Sequence, residues 1–383
     1  MTFLRHVLAL ALVVVLADAQ QPTSPPNVLL IIADDLGWNG VSYHNPKMVT
    51  PALAQLAKEG VQLERFYGYP VCSPARSALL TGMMPRRFGL TDVVGPGQQG
   101  IPKGTPTLAS TLQSAGYRTS LIGKWHLGTN PGPLGYGFDH FYGFLGPEID
   151  YFTHLNQRGV IDWTRDGKTV EEKGYATTLI ADEAIAQLKQ RDRRKPFYMQ
   201  VAFNAPHTPL AAPAELIAKY KSDALYTAVI EGLDIGIGRI LASLDEQGLR
   251  ANTVVVFCSD NGATRRFSPN TPLSFGKGTV QEGGIRVPGV IEWPARIQPG
   301  TVTTVPCSTL DYFPTTLELL GFKMKGQPEP IDGVSLVPLF AGKMTERPTP
   351  IPFETIGGTG SNNSRGSPRM ALVDNRYKLL TDM

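Results

Sequence analysis

Two runs of this chain carry no charge along their length, and each stops on acidic or amide side chains: NVLLIIADD from Asn27 to Asp35, and TVVVFCSDNG from Thr253 to Gly262. A continuous apolar run of this length offers no polar face to water. As a strand it has to be covered on both sides, the situation of central strands in a mostly parallel sheet. Helix-forming stretches separate such runs. Thr50-Pro51 caps and starts one that Gly60 ends, after which Val61 to Phe66 is again extended. Thr105-Pro106 opens another, closed by Gly116 and followed by the strand-like Thr119 to Ile122. Further strands are expected at Phe197 to Phe203, Thr253 to Ser259 and Val287 to Trp293. A long helix, Asp223 to Gln247, carries Leu225, Val229, Leu233, Ile237, Ile240, Leu241 and Leu244 on one stripe, which reads as core. The pattern is α/β, a mostly parallel sheet covered on both faces by helices.

The stretches Val94 to Thr107 and Thr129 to Gly146 are rich in Pro and Gly and read as loops, where a rigid scaffold carries function. Pro350 to Pro368 reads as a linker, and Arg369 to Asp374 with Arg376 to Leu380 as a hairpin about an Asp-Asn pair. The chain's 383 residues suffice for one large domain, and 42% hydrophobic with 18% charged residues is a globular composition.

At the N-terminus, Arg5 and His6 precede the apolar run Val7 to Leu16, and Ala17-Asp18-Ala19 supplies a small-x-small cleavage site before Gln20. Ten apolar residues are too few to span a bilayer. Residues 1–19 are therefore expected to be a signal peptide and the mature chain to be soluble, in a secreted, periplasmic or lysosomal setting with no membrane span. A net charge of +3 from 36 basic and 33 acidic residues, without a basic stripe, gives no nucleic-acid footprint. Three cysteines, Cys72, Cys258 and Cys307, are too few for a disulfide framework in an exported chain. Cys72 then needs its own explanation, while a bond between Cys258 and Cys307 is possible but not readable.

Ligands of open parallel sheets bind beyond the carboxyl ends of the strands. Asp34 and Asp35 after one strand, and Asp260 and Asn261 after another, would arrive at the same edge. Taken singly, the first pair could cap a loop and Asp260-Asn261-Gly262 could be a turn. Taken together, four oxygen donors without Cys/His zinc spacing favour Ca²⁺ or Mg²⁺. The third element is CSPARSALLTG, Cys72 to Gly82, with Ser73 as a candidate N-cap and Pro74 as a first helical residue. Cys72 thereby sits at a helix N-terminus, whose partial positive charge favours an anion, and Arg76 adds a cation one turn on.

These strings stand in the order NVLLIIADDLGW, CSPARSALLTG, GKWHLG, APHTP, SDNG, GKGTVQEGGIRVP. From Asn27 to about Phe340 the chain resembles the formylglycine-dependent (type I) sulfatases of the alkaline phosphatase superfamily, arylsulfatases among them, and CSPARSALLTG matches their Cys-x-Pro-x-Arg signature. The resemblance implies an alkaline-phosphatase-like three-layer α/β/α sandwich. It implies that Cys72 is oxidised to formylglycine (3-oxoalanine) by a formylglycine-generating or equivalent maturation enzyme. It implies one calcium ion held by Asp34, Asp35, Asp260 and Asn261 together with the modified Cys72. Lys124 would contact the sulfate and residue 72, His126 would hydrogen-bond an oxygen of residue 72, and His207 and Lys277 would hold sulfate and help the leaving oxygen depart. Arg76, Lys124, Lys277 and the ion would neutralise the three charged oxygens of a sulfate monoester.

The implied activity is hydrolysis of aryl or carbohydrate sulfates. A phosphonate or phosphodiester hydrolase of the same superfamily is the nearest alternative, and a non-catalytic binder of sulfated glycans would result if Cys72 stayed unconverted. Gly146 to His154 (GPEIDYFTH) offers no counterpart to the hydroxyl that some relatives add to the pocket. The expected organisation is a signal peptide over 1–19, a catalytic domain over 20–345, and over 346–383 a linker with the opening hairpin of an incomplete antiparallel C-terminal subdomain.

Overall fold

The computed structural model describes residues 25–95, 97–221, 224–266, 270–322, 330–356 and 368–382, so the expected signal peptide lies outside the described residues. In chain order the strands are β1 (Asn27–Ala33), β2 (Val61–Leu63), β3 (Phe66–Tyr67), β4 (Arg118–Lys124), β5 (His140–Phe144), β6 (Thr164–Arg165), β7 (Lys168–Thr169), β8 (Phe197–Ala202), β9 (Thr253–Ser259), β10 (Arg286–Val287), β11 (Gly289–Glu292), β12 (Thr301–Thr303), β13 (Cys307–Ser308), β14 (Ile351–Glu354), β15 (Met370–Val373) and β16 (Lys378–Thr381). The principal helices are α1 (Pro51–Glu59), α2 (Cys72–Thr81), α3 (Leu108–Ser114), α4 (Ala176–Gln190), α5 (Ala214–Ile217), α6 (Ala224–Glu246), α7 (Glu282–Ile285) and α8 (Tyr312–Leu319).

Ten strands form the main sheet in the order β12-β2-β11-β9-β1-β8-β4-β5-β6-β7. Its five central strands, β9-β1-β8-β4-β5, are all parallel. The apolar run of β1 divides by side-chain alternation. Leu29, Ile31 and Ala33 enter one core with residues of α1, α4 and α6, and Val28, Leu30 and Ile32 enter the other with residues of α2, α3 and α8. Every residue of β1 is buried, so no polar alternation is visible in its sequence. Burying each large aliphatic side chain there is worth about 1.5–3 kcal/mol, and truncating Ile31 to Ala would cost about 2–5 kcal/mol. The result is the three-layer α/β/α sandwich of the alkaline-phosphatase type. On α6, Val229, Leu233, Ile237, Ile240, Leu241 and Leu244 are buried in the first core. Among the described residues no helix is long and apolar enough to cross a membrane.

Several local expectations need correction. The run Val287 to Trp293 is not one strand: β10 joins a small sheet with β3 and β13, and β11 pairs antiparallel with β9. Pro288 stands between them and has no N–H to give to a ladder. The supposed loop Thr129 to Gly146 contains β5, whose HFYGF lies among Gly and Pro and therefore reads as irregular. The third helix is capped by Thr107, two residues after the expected Thr105, in a reciprocal capping box with Ser110. α2 starts at Cys72 itself with Val71 as N-cap, and Ser73 is not a cap. Cys258 and Cys307 are both free and buried.

The tail differs as well. Ile351–Glu354, inside the stretch expected to be a linker, is a strand that pairs with Met370–Val373, giving a three-stranded sheet β14-β15-β16 rather than a lone hairpin. Pro352 disguised it, being tolerated because β14 is an edge strand. Ile351, Phe353, Ala371 and Val373 are buried against Tyr67, Tyr69, Ala75 and Ala78, so this sheet backs the segment that carries Cys72.

Candidate active site

The register of β1 and β9 pairs Ala33 with Ser259, so Asp34-Asp35 and Asp260-Asn261 leave the sheet side by side at its carboxyl edge. Their backbones interlock: Asp260 N–H donates to the Ala33 carbonyl at 3.2 Å, and Asp35 N–H to Asp260 Oδ1 at 3.2 Å. β4 delivers Lys124 to the same edge. Gly123 just before it has φ +105°, and a Cβ there would lie 1.9 Å from the Ala202 carbonyl oxygen of β8, so only glycine permits that approach. β8 runs on toward His207, and α2 presents Cys72 from its first residue. Ser73, the expected cap, donates through Oγ to the His126 carbonyl at 2.8 Å and accepts from Val94 N–H at 2.9 Å, tying α2 to the loop that bears His126.

The side chains meet around Cys72. Its Sγ lies 3.4 Å from Asp34 Oδ1 and 4.0 Å from Asp35 Oδ1. The Nζ atoms of Lys124 and Lys277 are each 3.5 Å from that sulfur. Lys124 also reaches Asp34 Oδ2 at 2.6 Å, and Lys277 reaches Asp35 Oδ1 at 2.7 Å. His207 Nε2 stands 3.7 Å from Asp35 Oδ2, and its Nδ1 is 2.5 Å from the Thr208 carbonyl oxygen. Ligand atoms of Asp34, Asp35, Cys72 and His207 all lie within 4.8 Å of one another. Asp260 Oδ2 accepts from Arg76 Nε at 3.1 Å and Nη2 at 2.8 Å, because a buried guanidinium needs an anion against it.

Burial alone would raise the Asp35 carboxyl, but Lys277, His207 and Lys124 outweigh it and hold it well below the usual carboxylate range. Burial and the neighbouring Asp34 charge push Asp260 up, with Arg76 and Lys124 opposing the shift. Burial disfavours the Lys277 ammonium, yet the carboxylates of Asp35 and Asp34 raise its pKa. Burial, reinforced by Lys124, Arg76 and Lys277, pushes His126 well below its ordinary value, and burial with Lys277 brings His207 down to about 4. Burial pushes the Cys72 thiol up even though Lys124 and Lys277 pull the other way. Both imidazoles are thus neutral at pH 7, and residue 72 as a thiol is not a ready thiolate.

The donor set fits a hard divalent cation. Asp34, Asp35 and Asp260 supply carboxylate oxygens, and Asn261 Oδ1 is buried with no hydrogen-bond partner among the described residues, while its Nδ2 donates to Asp35 Oδ1 at 2.7 Å. Three carboxylates stand against the three cations Arg76, Lys124 and Lys277, so added divalent charge would leave a positive surplus for an anionic ester.

Three neighbours have no signal in the sequence pattern. Thr264 Oγ1 is 3.4 Å from Asp35 Oδ2, Tyr151 donates its hydroxyl to the His207 carbonyl at 2.9 Å, and Glu148 Oε2 lies 3.8 Å from His207 Nδ1. The last two come from GPEIDYFTH. Only the Gly146 break after β5 marks that segment as a site loop.

The three-layer α/β/α scaffold thus carries, at its carboxyl edge, a buried cluster of three carboxylates, three cations, Cys72 and neutral histidines. The Sulfatase family model matches residues 26–322, and the model for the C-terminal part of N-sulphoglucosamine sulphohydrolase matches residues 273–381. The chain belongs to the sulfatase family and is a sulfuric ester hydrolase. N-acetylgalactosamine-6-sulfatase of Sus scrofa is 35% identical over 356 residues, 85% of this chain and 68% of that protein. The Homo sapiens protein of the same name is 35% identical over 359 residues, 85% and 67% respectively. Among solved structures, Ps i-CgsB in complex with k-i-k-neocarrahexaose superposes with a TM-score of 0.85 at 32% identity, covering 94% of this chain and 84% of that one.

Proposed function

We propose that this chain removes sulfate from sulfated carbohydrates, and from aryl sulfates, by means of an oxidised Cys72 and a calcium ion. The observation that carries the reading is the setting of Cys72: the first residue of α2, buried, with two lysine ammonium groups each 3.5 Å from its sulfur and two aspartates on its other side. A thiol held protonated is a poor nucleophile, which favours conversion of residue 72 over direct use.

Oxidised to formylglycine by a maturation enzyme, residue 72 would supply a hydrated aldehyde with two hydroxyls on one carbon. Asp34, Asp35, Asp260 and Asn261 would hold the calcium, which would supply positive charge beside the sulfate oxygens and residue 72. Lys124 and Lys277 neutralise the remaining sulfate charge and align the ester, and Arg76 holds Asp260 in place while adding its own charge. The Thr208 carbonyl fixes the proton on His207 Nδ1 and leaves Nε2 an acceptor, so the Lys277 ammonium would give the proton that the leaving oxygen takes, and Nε2 would accept a hydrogen bond from the alcohol formed. His126, neutral and with neither ring nitrogen hydrogen-bonded among the described residues, would take a proton from residue 72. Relatives named for N-acetylgalactosamine-6-sulfatase activity support a sulfated sugar as substrate, and the N-terminal sequence supports an exported setting.

The test is released sulfate from p-nitrophenyl sulfate and a panel of sulfated sugars, alongside the mass of the peptide spanning Cys72 to Arg76. Sulfate release together with the aldehyde form of that peptide is expected. Faster turnover of p-nitrophenyl phosphodiesters than of p-nitrophenyl sulfate would overturn the choice of ester.

A further inference from the structure

Beyond His207 lies a cavity of about 400 Å³ that the sulfate pocket does not include. Glu148, Asp150, Thr153, Asn156, Gln157 and Pro209 are among its lining, and none of the lining residues is Lys or Arg. Two observations join it to the site. Glu148 lines it and stands 3.8 Å from His207 Nδ1, and Pro209, two residues after His207, lines it from the other direction. The cavity therefore adjoins His207 on the side of its Nδ1, through Glu148 and Pro209. A leaving alcohol whose oxygen meets His207 Nε2 would have this cavity as a neighbouring space.

The lining has a definite chemistry. It offers carboxylate, amide and hydroxyl groups together with Ile149, Leu155 and Pro209, the combination that hydrogen-bonds ring hydroxyls while covering the C–H face of a sugar. The volume is that of a small-molecule pocket at the lower end of the usual range, roughly 300–1,000 Å³. Its charge is one-sided. Burial works against ionisation of Asp150, but hydrogen bonds from Thr153 and Phe152 outweigh it and keep this carboxyl below its usual range. With Glu148 it places two carboxylates and no cation around the occupant, opposite in sign to the sulfate pocket next door.

We propose that this cavity receives the sugar ring that bears the scissile sulfate, and that Glu148 and Asp150 make the enzyme select a ring without a second anionic substituent. The proposal rests on the sulfatase reading above and adds the substrate class to it. One enzyme then holds two adjoining compartments of opposite preference, a cationic one for the sulfate and an acidic one for an uncharged ring.

The experiment measures kcat/KM of the matured enzyme for a hexose 6-sulfate, for the same hexose bearing a second sulfate, and for p-nitrophenyl sulfate as a ring-free reference. The monosulfated hexose is expected to be preferred over the disulfated one by at least about tenfold. In Glu148→Gln, which keeps shape and removes charge, that preference should shrink severalfold, and in Glu148→Asp it should persist. Equal or faster turnover of the disulfated hexose by the parent enzyme overturns the proposal, as does a preference unmoved in Glu148→Gln. Failure of the matured parent enzyme on all three esters sinks the sulfatase reading itself, and the proposal with it.

Discussion

Both ends of the main sheet bury a histidine among charged side chains, and the two are built in opposite ways. At the amino end of β5, His140 Nδ1 lies 3.0 Å from Asp166 Oδ1 and Nε2 lies 2.8 Å from Glu183 Oε1. Arg165 reaches the other Glu183 oxygen at 2.7 Å, Gln187 donates to Glu183 at 2.9 Å, and Phe141 N–H donates to Asp166 at 2.9 Å. At the carboxyl end, neither ring nitrogen of His126 nor Asn261 Oδ1 has a partner among the described residues. Two residues there, Asp35 and His126, also hold left-handed backbone at φ +66° and +55°, a conformation costing of order 1 kcal/mol or more for a non-glycine residue. A buried polar network with every partner present stabilises a fold, whereas one that leaves groups unsatisfied pays in stability for the chance to meet a ligand.

The sharpest way to break this contrast is at residue 72. Cys72→Ala should abolish turnover, a loss on the order of 10⁴-fold or more, and leave the melting temperature near the parent value. Cys72→Ser retains a single hydroxyl and should accumulate a sulfated adduct on incubation with p-nitrophenyl sulfate. An intact mass without adduct counts against attack by residue 72.

Next in size is the paired substitution of the two histidines. His126→Ala should lower kcat by about 10²–10⁴-fold with little change in unfolding free energy. His140→Ala should cost about 1–3 kcal/mol of stability while kcat per folded molecule is retained. Equal destabilisation by both would erase the distinction between the two ends.

Calcium should act on activity and stability together. Chelation should stop sulfate release and lower the melting temperature, and restoring calcium at a hundredfold excess over its Kd should return about 2.7 kcal/mol of stability. A melting temperature indifferent to calcium would remove the ion from the carboxyl end.

The smallest effect is on the acid limb. Burial opposes ionisation of Glu183, but hydrogen bonds from His140, Arg165 and Gln187 hold its carboxyl down at about 2. Its folded pKa is below the unfolded value of about 4.3. Its contribution to stability is therefore complete above that value and lost as pH falls toward 2. Glu183→Gln should flatten this part of a denaturation-against-pH curve, measured by chemical unfolding, without moving the pH profile of sulfate release.

What could be read in the sequence is what depends on short strings and strand periodicity. NVLLIIADD and TVVVFCSDNG announce buried strands ending in oxygen donors, and the parallel register then forces the two acid pairs together. CSPARSALLTG marks the helix start to within two residues. What could not be read depends on partners far along the chain. Ser73 looks like a cap locally, but its hydroxyl is used by His126 and Val94, 53 and 21 residues away. Glu148, Tyr151 and Thr264 have ordinary loop sequences, and their meaning comes only from the approach of His207 or Asp35. β14 was hidden by Pro352, and β5 by the glycines and prolines around it.

The most direct measurement is a crystal structure of the matured enzyme grown with calcium. Calcium should be found within about 2.3–2.6 Å of oxygens from Asp34, Asp35, Asp260 and Asn261, beside residue 72. Crystals grown with calcium in which that position holds no ion, with Asn261 Oδ1 hydrogen-bonded to protein or water instead, would contradict it.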